Sequence, residues 1–251
     1  MEKEKTYFGF KQVDREQKAG LVKEIFSNVA GKYDLMNDLM SGGVHRLWKN
    51  KMVAEISPKS KDVRFIDVAG GTGDIAFRIA RKMRQANVNY QIEVVDINQE
   101  MLDVGKARAI DLNLFSNLNF LCCDGEKLSY ADESFDFFTI AFGIRNFTNI
   151  DKGLAEAYRV LKKGGKFICL EFSQVNDYFL QKIYDAYSFK VIPKIGELVL
   201  NDRESYQYLV ESIRKFPRQN EFKKMIEAAG FTNAAYTNLT FGTAAIHTGI
   251  K

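Results

Sequence analysis

From Gln12 to Ile56 the apolar side chains Leu21, Val22, Ile25, Phe26 and Val29 recur at helical spacing, and the segments Tyr33 to Met40 and Val44 to Ile56 continue the pattern. This predicts a helical front end. After Pro58 the pattern changes to short apolar runs, Val63 to Ala69, Ile92 to Asp96, Leu118 to Cys122, Phe135 to Phe142 and Phe167 to Phe172, bounded by Gly, Asp or Asn. Asp74 to Gln85, Gln99 to Asn113 and Ile150 to Leu161 lie between them and read as helices. Such alternation predicts βαβ units and a parallel sheet. A helix beyond Phe222 stops at Gly230, a residue suited to a left-handed helix end. Ala234 to Thr240 and Thr243 to Lys251 then read as two strands joined at Phe241 and Gly242, which adds an antiparallel hairpin.

The expected fold is therefore α/β and Rossmann-like, a mostly parallel seven-stranded sheet ending in an antiparallel hairpin. One domain spans residues 1–251: a helical cap over 1–57, a ligand-binding core over 58–173, a substrate lid over 174–217, and the terminal helix and hairpin over 218–251. The lid is expected because Tyr178, Phe179, Tyr184, Tyr187, Phe189, Ile192, Ile195, Leu198 and Val199 make that stretch too apolar for an open loop, although core helix is the better reading for part of it.

The chemistry gathers at the strand ends. The first core strand delivers Asp67, Val68, Ala69, Gly70, Gly71, Thr72, Gly73 and Asp74 at its carboxyl end, where open α/β sheets place ligands. The glycines let main chain approach a ligand, and Thr72 adds a hydroxyl. Asp96 ends the second strand, where a carboxylate can accept both hydroxyls of a ribose; Asp124 and Gly125, after the third, can reach an adenine edge. Gly71 to Ala76 also fits the dinucleotide fingerprint G-x-G-x-x-A with an acid about twenty positions on, so a nicotinamide oxidoreductase is the main rival. Asp74 counts against it, because a dinucleotide puts its pyrophosphate at that helix N-terminus. S-adenosylmethionine carries an ammonium and a sulfonium and no phosphate, so an acidic rim at Asp67 and Asp74 favours it. A non-catalytic cofactor-binding protein is a third reading.

Composition narrows the class. The 251 residues, 46% hydrophobic, suffice for a substantial core. A net charge of +4, with 36 basic residues scattered among 32 acidic ones, shows no basic stripe, so no nucleic-acid partner is expected. Cys122, Cys123 and Cys169 read as strand-packing residues in a reducing compartment. No secretion signal, no membrane span and no metal site are expected.

Tyr33 to Trp48, which contains Asp34, Asn37, His45 and the Ser41-Gly42-Gly43 turn, closely resembles the first signature of the ubiquinone/menaquinone biosynthesis methyltransferases. Arg159 to Phe167, continuing through Glu171-Phe172-Ser173, resembles the second, with Lys163 where that family usually has proline. Phe142-Gly143-Ile144-Arg145-Asn146 is similar to the family's motif after the fourth strand, and the likeness runs through Gly249. The resemblance implies a class I fold with S-adenosylmethionine held by Thr72, Asp96, Asp124 and Gly125; Ala141 stands where the family often has a cofactor-contacting serine. It implies methyl transfer to a ring carbon of a polyprenyl benzoquinol or of demethylmenaquinol. Arg145 is the leading candidate for stabilising a phenolate, directly or through water, with Asn146 orienting the ring and Tyr33 and His45 as further candidates. Trp48 and His247 are expected to be structural. A prenylated substrate implies a cytoplasmic enzyme that visits the inner face of the membrane. A homodimer, or assembly with other quinone-pathway enzymes, is also expected.

Overall fold

The computed structural model describes residues 5–29, 38, 41–175 and 203–251. The expectations placed on Tyr33, Asp34 and Asn37, and on the apolar stretch from Tyr178 to Val199, lie outside the described residues.

The chain opens differently from its periodicity. Strands β1 (Lys5–Phe8) and β2 (Lys11–Asp14) pair antiparallel, with Tyr7 opposite Gln12, and only then does helix α1 (Arg15–Val29) begin. The turn is made by Gly9, whose φ of 59° is the left-handed conformation that reverses a chain at little cost to glycine. Helix α2 (His45–Ala54) follows.

The core alternates as its hydrophobic runs predict: β3 (Asp62–Val68), α3 (Asp74–Gln85), β4 (Asn89–Asp96), α4 (Gln99–Asp111), β5 (Leu118–Cys122), β6 (Phe135–Ala141), α5 (Ile150–Val160) and β7 (Leu161–Phe172). After α6 (Arg203–Lys215) and α7 (Gln219–Ala228), β8 (Thr232–Leu239) and β9 (Ala244–Ile250) close the chain. The sheet has seven strands in the order β5-β4-β3-β6-β7-β9-β8. All neighbours pair parallel except β9, which runs antiparallel between β7 and β8. The strand order reverses between β3 and β6, so a crevice opens there at the carboxyl ends.

Strand alternation divides the core between two faces. Phe65, Ile92, Val94, Ile168 and Leu170 face one apolar layer with Met52, Ile79 and Met83; Ile66, Val68, Val95, Ile140 and Phe167 face another with Leu154, Phe222 and Ile226. Truncating a side chain as enclosed as Phe65 to alanine typically costs about 3–5 kcal/mol.

Three features depart from the sequence pattern. Strand β7 starts at Leu161 and not Phe167: Phe135 pairs with Leu161 and Phe137 with Lys166, so Gly164 and Gly165 form an irregularity inside the strand, and Lys163 is exposed on it. Tyr206, Leu209, Val210 and Ile213 of α6 are buried in the core, so the carboxyl end of the segment read as a lid is a packing helix. Of the cysteines only Cys169 is a buried strand residue; Cys122 is exposed at the end of β5 and Cys123 is half-buried just beyond it, because the strand stops pairing there.

Candidate functional site

A cleft of about 1100 Å³, mouth included, opens at the carboxyl ends of β3, β4, β5 and β6. That space admits a nucleoside-sized ligand. Its floor is the turn from β3 into α3. Gly71 has φ 52°, and at Gly70 an added Cβ would lie 2.7 Å from Val94 Cγ1, so main chain approaches the cleft where no side chain fits. Ala69 and Phe142, which end neighbouring strands on the cleft wall, are also held at positive φ (51° and 57°), a strain that packing on both sides of the sheet sustains.

Asp67, Gly71, Thr72, Asp96, Asp124, Gly125, Ala141 and Asn146 all line this cleft. Gly73 does not; at φ 83° it caps the start of α3 and donates its amide to Gly70 O at 2.9 Å, so it shapes the turn from behind. Asp96 anchors the same turn: its Oδ2 accepts from the Gly71 amide and its Oδ1 from the Asn98 amide, each at 2.9 Å. A carboxylate has about four lone-pair sites, so acceptor capacity remains toward the cleft. Burial pushes its pKa up to about 6 despite the backbone bonds. Thr72 Oγ1 accepts from Arg108 Nη1 at 2.9 Å, and the Arg108 guanidinium lies over the Phe77 ring. Asp124 Oδ1 accepts from the Glu126 amide at 2.8 Å.

Asp67 is more exceptional. Burial raises its carboxyl to about 7, with Asp74 and Asp96 adding repulsion. Its Oδ1 accepts from Thr139 Oγ1 at 2.7 Å, and a backbone hydrogen bond from Ala76 also favours its charged form. The acidic lining and the glycine wall together fit the cationic nucleoside S-adenosylmethionine.

The front end covers the cleft. Ala19, Val22 and Phe26 of α1 and Lys49 of α2 line it. Asn98 Nδ2 donates to Ser27 Oγ at 3.0 Å, Lys18 Nζ to Phe147 O at 2.7 Å and Thr6 Oγ1 to Thr148 O at 3.4 Å, fastening the cover to the strand-end loops. Burial lowers the Lys18 pKa to about 8. Trp48, beside Lys49, packs on Phe172 and donates Nε1 to Thr240 Oγ1 at 2.9 Å.

Three expectations change. Arg145 does not line the cleft: its guanidinium is sealed against Glu171 at 2.8 Å and donates to Phe142 O and Ser212 Oγ, because the loop after β6 turns that side chain back under α6. His45 is also away from the cleft, buried at the start of α2 with Nδ1 3.0 Å from Ser41 Oγ, and burial, reinforced by Lys49, lowers its pKa. Asp74 is no free acidic rim, since Lys49 Nζ and Arg78 Nε hold its oxygens at 2.8 and 3.0 Å. Asn146 remains in the cleft with Oδ1 accepting from Tyr208 OH at 2.9 Å, which leaves its amide hydrogens free to donate. The Tyr208 ring stacks on Phe8 of β1 at 4.3 Å.

Lys49 does not stand out along the chain. Its signal is positional: it shares the buried side of α2 with Trp48, Met52 and Val53, where a lysine is out of place unless paired.

A glycine-walled cleft at the switch point of this sheet, with carboxylates ending β3 and β4 and an antiparallel hairpin closing the sheet, defines a class I, S-adenosylmethionine-dependent methyltransferase. Among solved structures, the fold is similar to an S-adenosylmethionine-dependent methyltransferase from Thermotoga maritima, described as a possible histamine N-methyltransferase, at 20% identity and TM-score 0.62 over 91% of this chain and 98% of that one. The chain belongs to the ubiE/COQ5 methyltransferase family, whose pattern it matches over residues 11–251. It is 55% identical over 246 residues to the ubiquinone/menaquinone biosynthesis C-methyltransferase of Brucella abortus, covering 97% of this chain and 90% of that protein. The enzyme of the same name from Rickettsia akari is 53% identical over 244 residues, covering 97% and 98%.

Proposed function

We propose that the protein methylates a ring carbon of a polyprenylated quinol, either 2-polyprenyl-6-methoxy-1,4-benzoquinol or demethylmenaquinol. The observation that carries this reading is a glycine-walled cleft lined by five carboxyl side chains against one lysine, which favours a cation-bearing nucleoside, in a chain more than half identical to C-methyltransferases of quinone biosynthesis. The rival dinucleotide reading is disfavoured by the cleft's charge: Asp67, Asp74, Asp96, Asp124 and Glu126 line it, against one lysine. A pyrophosphate would meet repulsion there.

Bound S-adenosylmethionine supplies an electrophilic methyl group on a sulfonium. The protein's part is to hold, orient and desolvate. Asp96 would accept the ribose hydroxyls with its spare lone pairs, Thr72 keeps the loop in place through Arg108, and Gly125 lets Phe147 and Val68 pack close beside the cleft, since a Cβ there would lie 2.6 Å from Phe147 and 2.8 Å from Val68. A quinol carbon becomes nucleophilic when the neighbouring hydroxyl loses its proton, and Asn146, its carbonyl occupied by Tyr208, offers N–H groups to the resulting phenolate oxygen. Arg145 supports this loop from behind, its guanidinium held by Glu171, Phe142 O and Ser212 Oγ. Ala19, Val22 and Phe26 give the cleft an apolar wall.

No helix among the described residues is long and apolar enough to cross a membrane. Contact with the membrane surface is supported by two exposed apolar side chains, Phe241 (75%) and Leu47 (62%), whose elements are joined by the Trp48–Thr240 hydrogen bond.

Incubating the protein with methyl-labelled S-adenosylmethionine and each quinol tests the reading: label is expected on a ring carbon of at least one. Transfer to neither overturns it. Parallel titration with S-adenosylhomocysteine and NADH should raise the melting temperature with the first alone; stabilisation by NADH alone would restore the oxidoreductase.

A further inference from the structure

The strand-end loop at Phe147 and Thr148 has the cofactor cleft on one side and a second cavity of about 780 Å³, mouth included, on the other. The two are opposite in charge. Arg15, Lys18, Arg145 and Lys215 line the second cavity against the carboxylate of Asp151, which is exposed. Glu171 matches Arg145, so the surplus is the positive charge that α1 brings with Arg15 and Lys18 and the end of α6 with Lys215, facing an acid that solvent screens.

The two lysines are also short of acceptors. Lys18 is 6% exposed, and its ammonium, with three hydrogens to donate, reaches the carbonyl of Phe147 at 2.7 Å. Glu126, across the loop, spends Oε1 on the amides of Thr148 and Asn149. Burial lowers the Lys18 pKa to about 8, with Glu126 offsetting part of the effect, as expected of a charge whose hydration is incompletely replaced. Lys215 Nζ lies over the Tyr7 ring at 3.9 Å, and the acid one turn before it, Glu211, accepts instead from the Phe10 amide and Gln207 Nε2. Neither lysine makes an ion pair among the described residues.

A compact anion with more than one charge and several acceptor oxygens fits this deficit, and a phosphate group has both. The rest of the wall is largely apolar, with Phe147, Ile150, Tyr208, Phe216 and Met225. Tyr7, also on the wall, and Phe10, whose ring lies 5.9 Å from Lys215 Nζ, are 44% and 50% exposed, so an apolar body attached to the phosphate finds contacts as well. We propose that this cavity is a second ligand site, for a phosphate group held by Lys18 and Lys215 and carried by a lipid headgroup or free in solution. It goes beyond the cofactor reading and does not rest on it. Its occupant would tie α6 to α1, the helix that walls the cleft with Ala19, Val22 and Phe26.

Calorimetric titration of the full chain with inorganic phosphate, and co-sedimentation with phosphatidylcholine vesicles made with and without phosphatidic acid, test the site without any turnover. Binding of inorganic phosphate, or retention only on the vesicles that contain phosphatidic acid, is expected. Lys18→Met and Lys215→Gln should each weaken it by about tenfold, whereas Lys163→Gln, at an exposed lysine of β7 that does not line the cavity, should leave it within about twofold. Lys215 is exposed, so Lys215→Gln keeps the fold and carries the test should Lys18→Met unfold the chain. Vesicle retention with this dependence assigns the phosphate to a lipid headgroup; binding of inorganic phosphate without retention assigns it to a soluble ligand. Binding of neither probe overturns the proposal. Equal weakening by Lys215→Gln and Lys163→Gln also overturns it, since that is the behaviour of diffuse surface charge.

Discussion

Two buried ion pairs lie close to the cleft, and they differ in what surrounds them. Arg145 and Glu171 are sealed, 2% and 0% exposed, and matched one to one. Each also spends its remaining capacity on protein: Arg145 donates to Phe142 O and Ser212 Oγ, while Glu171 accepts from the amides of Arg145 and Phe172. Lys49 and Asp74 are equally short in distance but unequal in number, because Arg78 shares the carboxylate, and one side of the pair borders open space. The first arrangement is complete without a ligand and therefore holds the fold. The second is unequal in charge and borders the cleft. Burial of a charge does not by itself mark a functional residue.

The largest effect should come from breaking the sealed pair. Arg145→Ala leaves Glu171 buried and uncompensated, and should cost about 3–5 kcal/mol in urea unfolding, whereas the double change Arg145→Met with Glu171→Leu should cost far less. If Arg145→Ala leaves stability unchanged and abolishes turnover, the pair belongs to the chemistry after all. On the open side, Asp96→Ala removes an acceptor and strands the amides of Gly71 and Asn98, so S-adenosylhomocysteine affinity should fall about a hundredfold by calorimetry.

The next effect is pH-dependent. Burial raises Asp67 to about 7 and Asp96 to about 6, so both carboxyls hold protons as pH falls toward 6, while a ligand ammonium and ribose hydroxyls require them ionised. S-adenosylhomocysteine affinity should therefore drop about tenfold from pH 8 to pH 6, and Asp67→Asn should flatten that profile. The linked stability runs the other way: between the unfolded value of 3.8 and the folded value of about 7, the native state binds the extra proton at Asp67, so its contribution to stability declines as pH rises through that window. The smallest effect is expected at Tyr208→Phe, which keeps the stack on Phe8 but frees Asn146 Oδ1. Turnover should fall about three- to tenfold with S-adenosylhomocysteine affinity unchanged, and an unchanged turnover would detach Tyr208 from the site.

Much of the fold is legible along the chain where the information is local. The runs at Val63, Ile92, Leu118 and Phe135 form β3 to β6 with edges moved by a few residues, and the Asp67 to Asp74 turn supplies the cleft floor as its glycines imply. The places that read wrongly are those where a distant partner overrides the local pattern. Gln12 and Val13 continue a helical periodicity but pair with Tyr7 and Thr6 across Gly9. Lys162 to Gly165 has turn composition yet stays within β7, since its flanks are held by β6 and β9. Tyr206 to Ile213, in the stretch expected to be partly core helix and partly lid, is a packing helix because the sheet gives α6 a surface to cover.

The order of strands and helices, the glycine turn, the carboxylates that end β3 and β4, and the family signatures can all be read from the chain alone. They depend on residues within a few positions of one another, on periodicity and on backbone freedom. Which charges meet is a property of the folded molecule. Glu171 lies 26 residues from Arg145, and Asp74 lies 25 from Lys49. Where a charged side chain finds its partner is settled by such distant contacts, and for that reason arginine and lysine, alike in charge, end in a sealed pair in one place and in a pair bordering the cleft in the other.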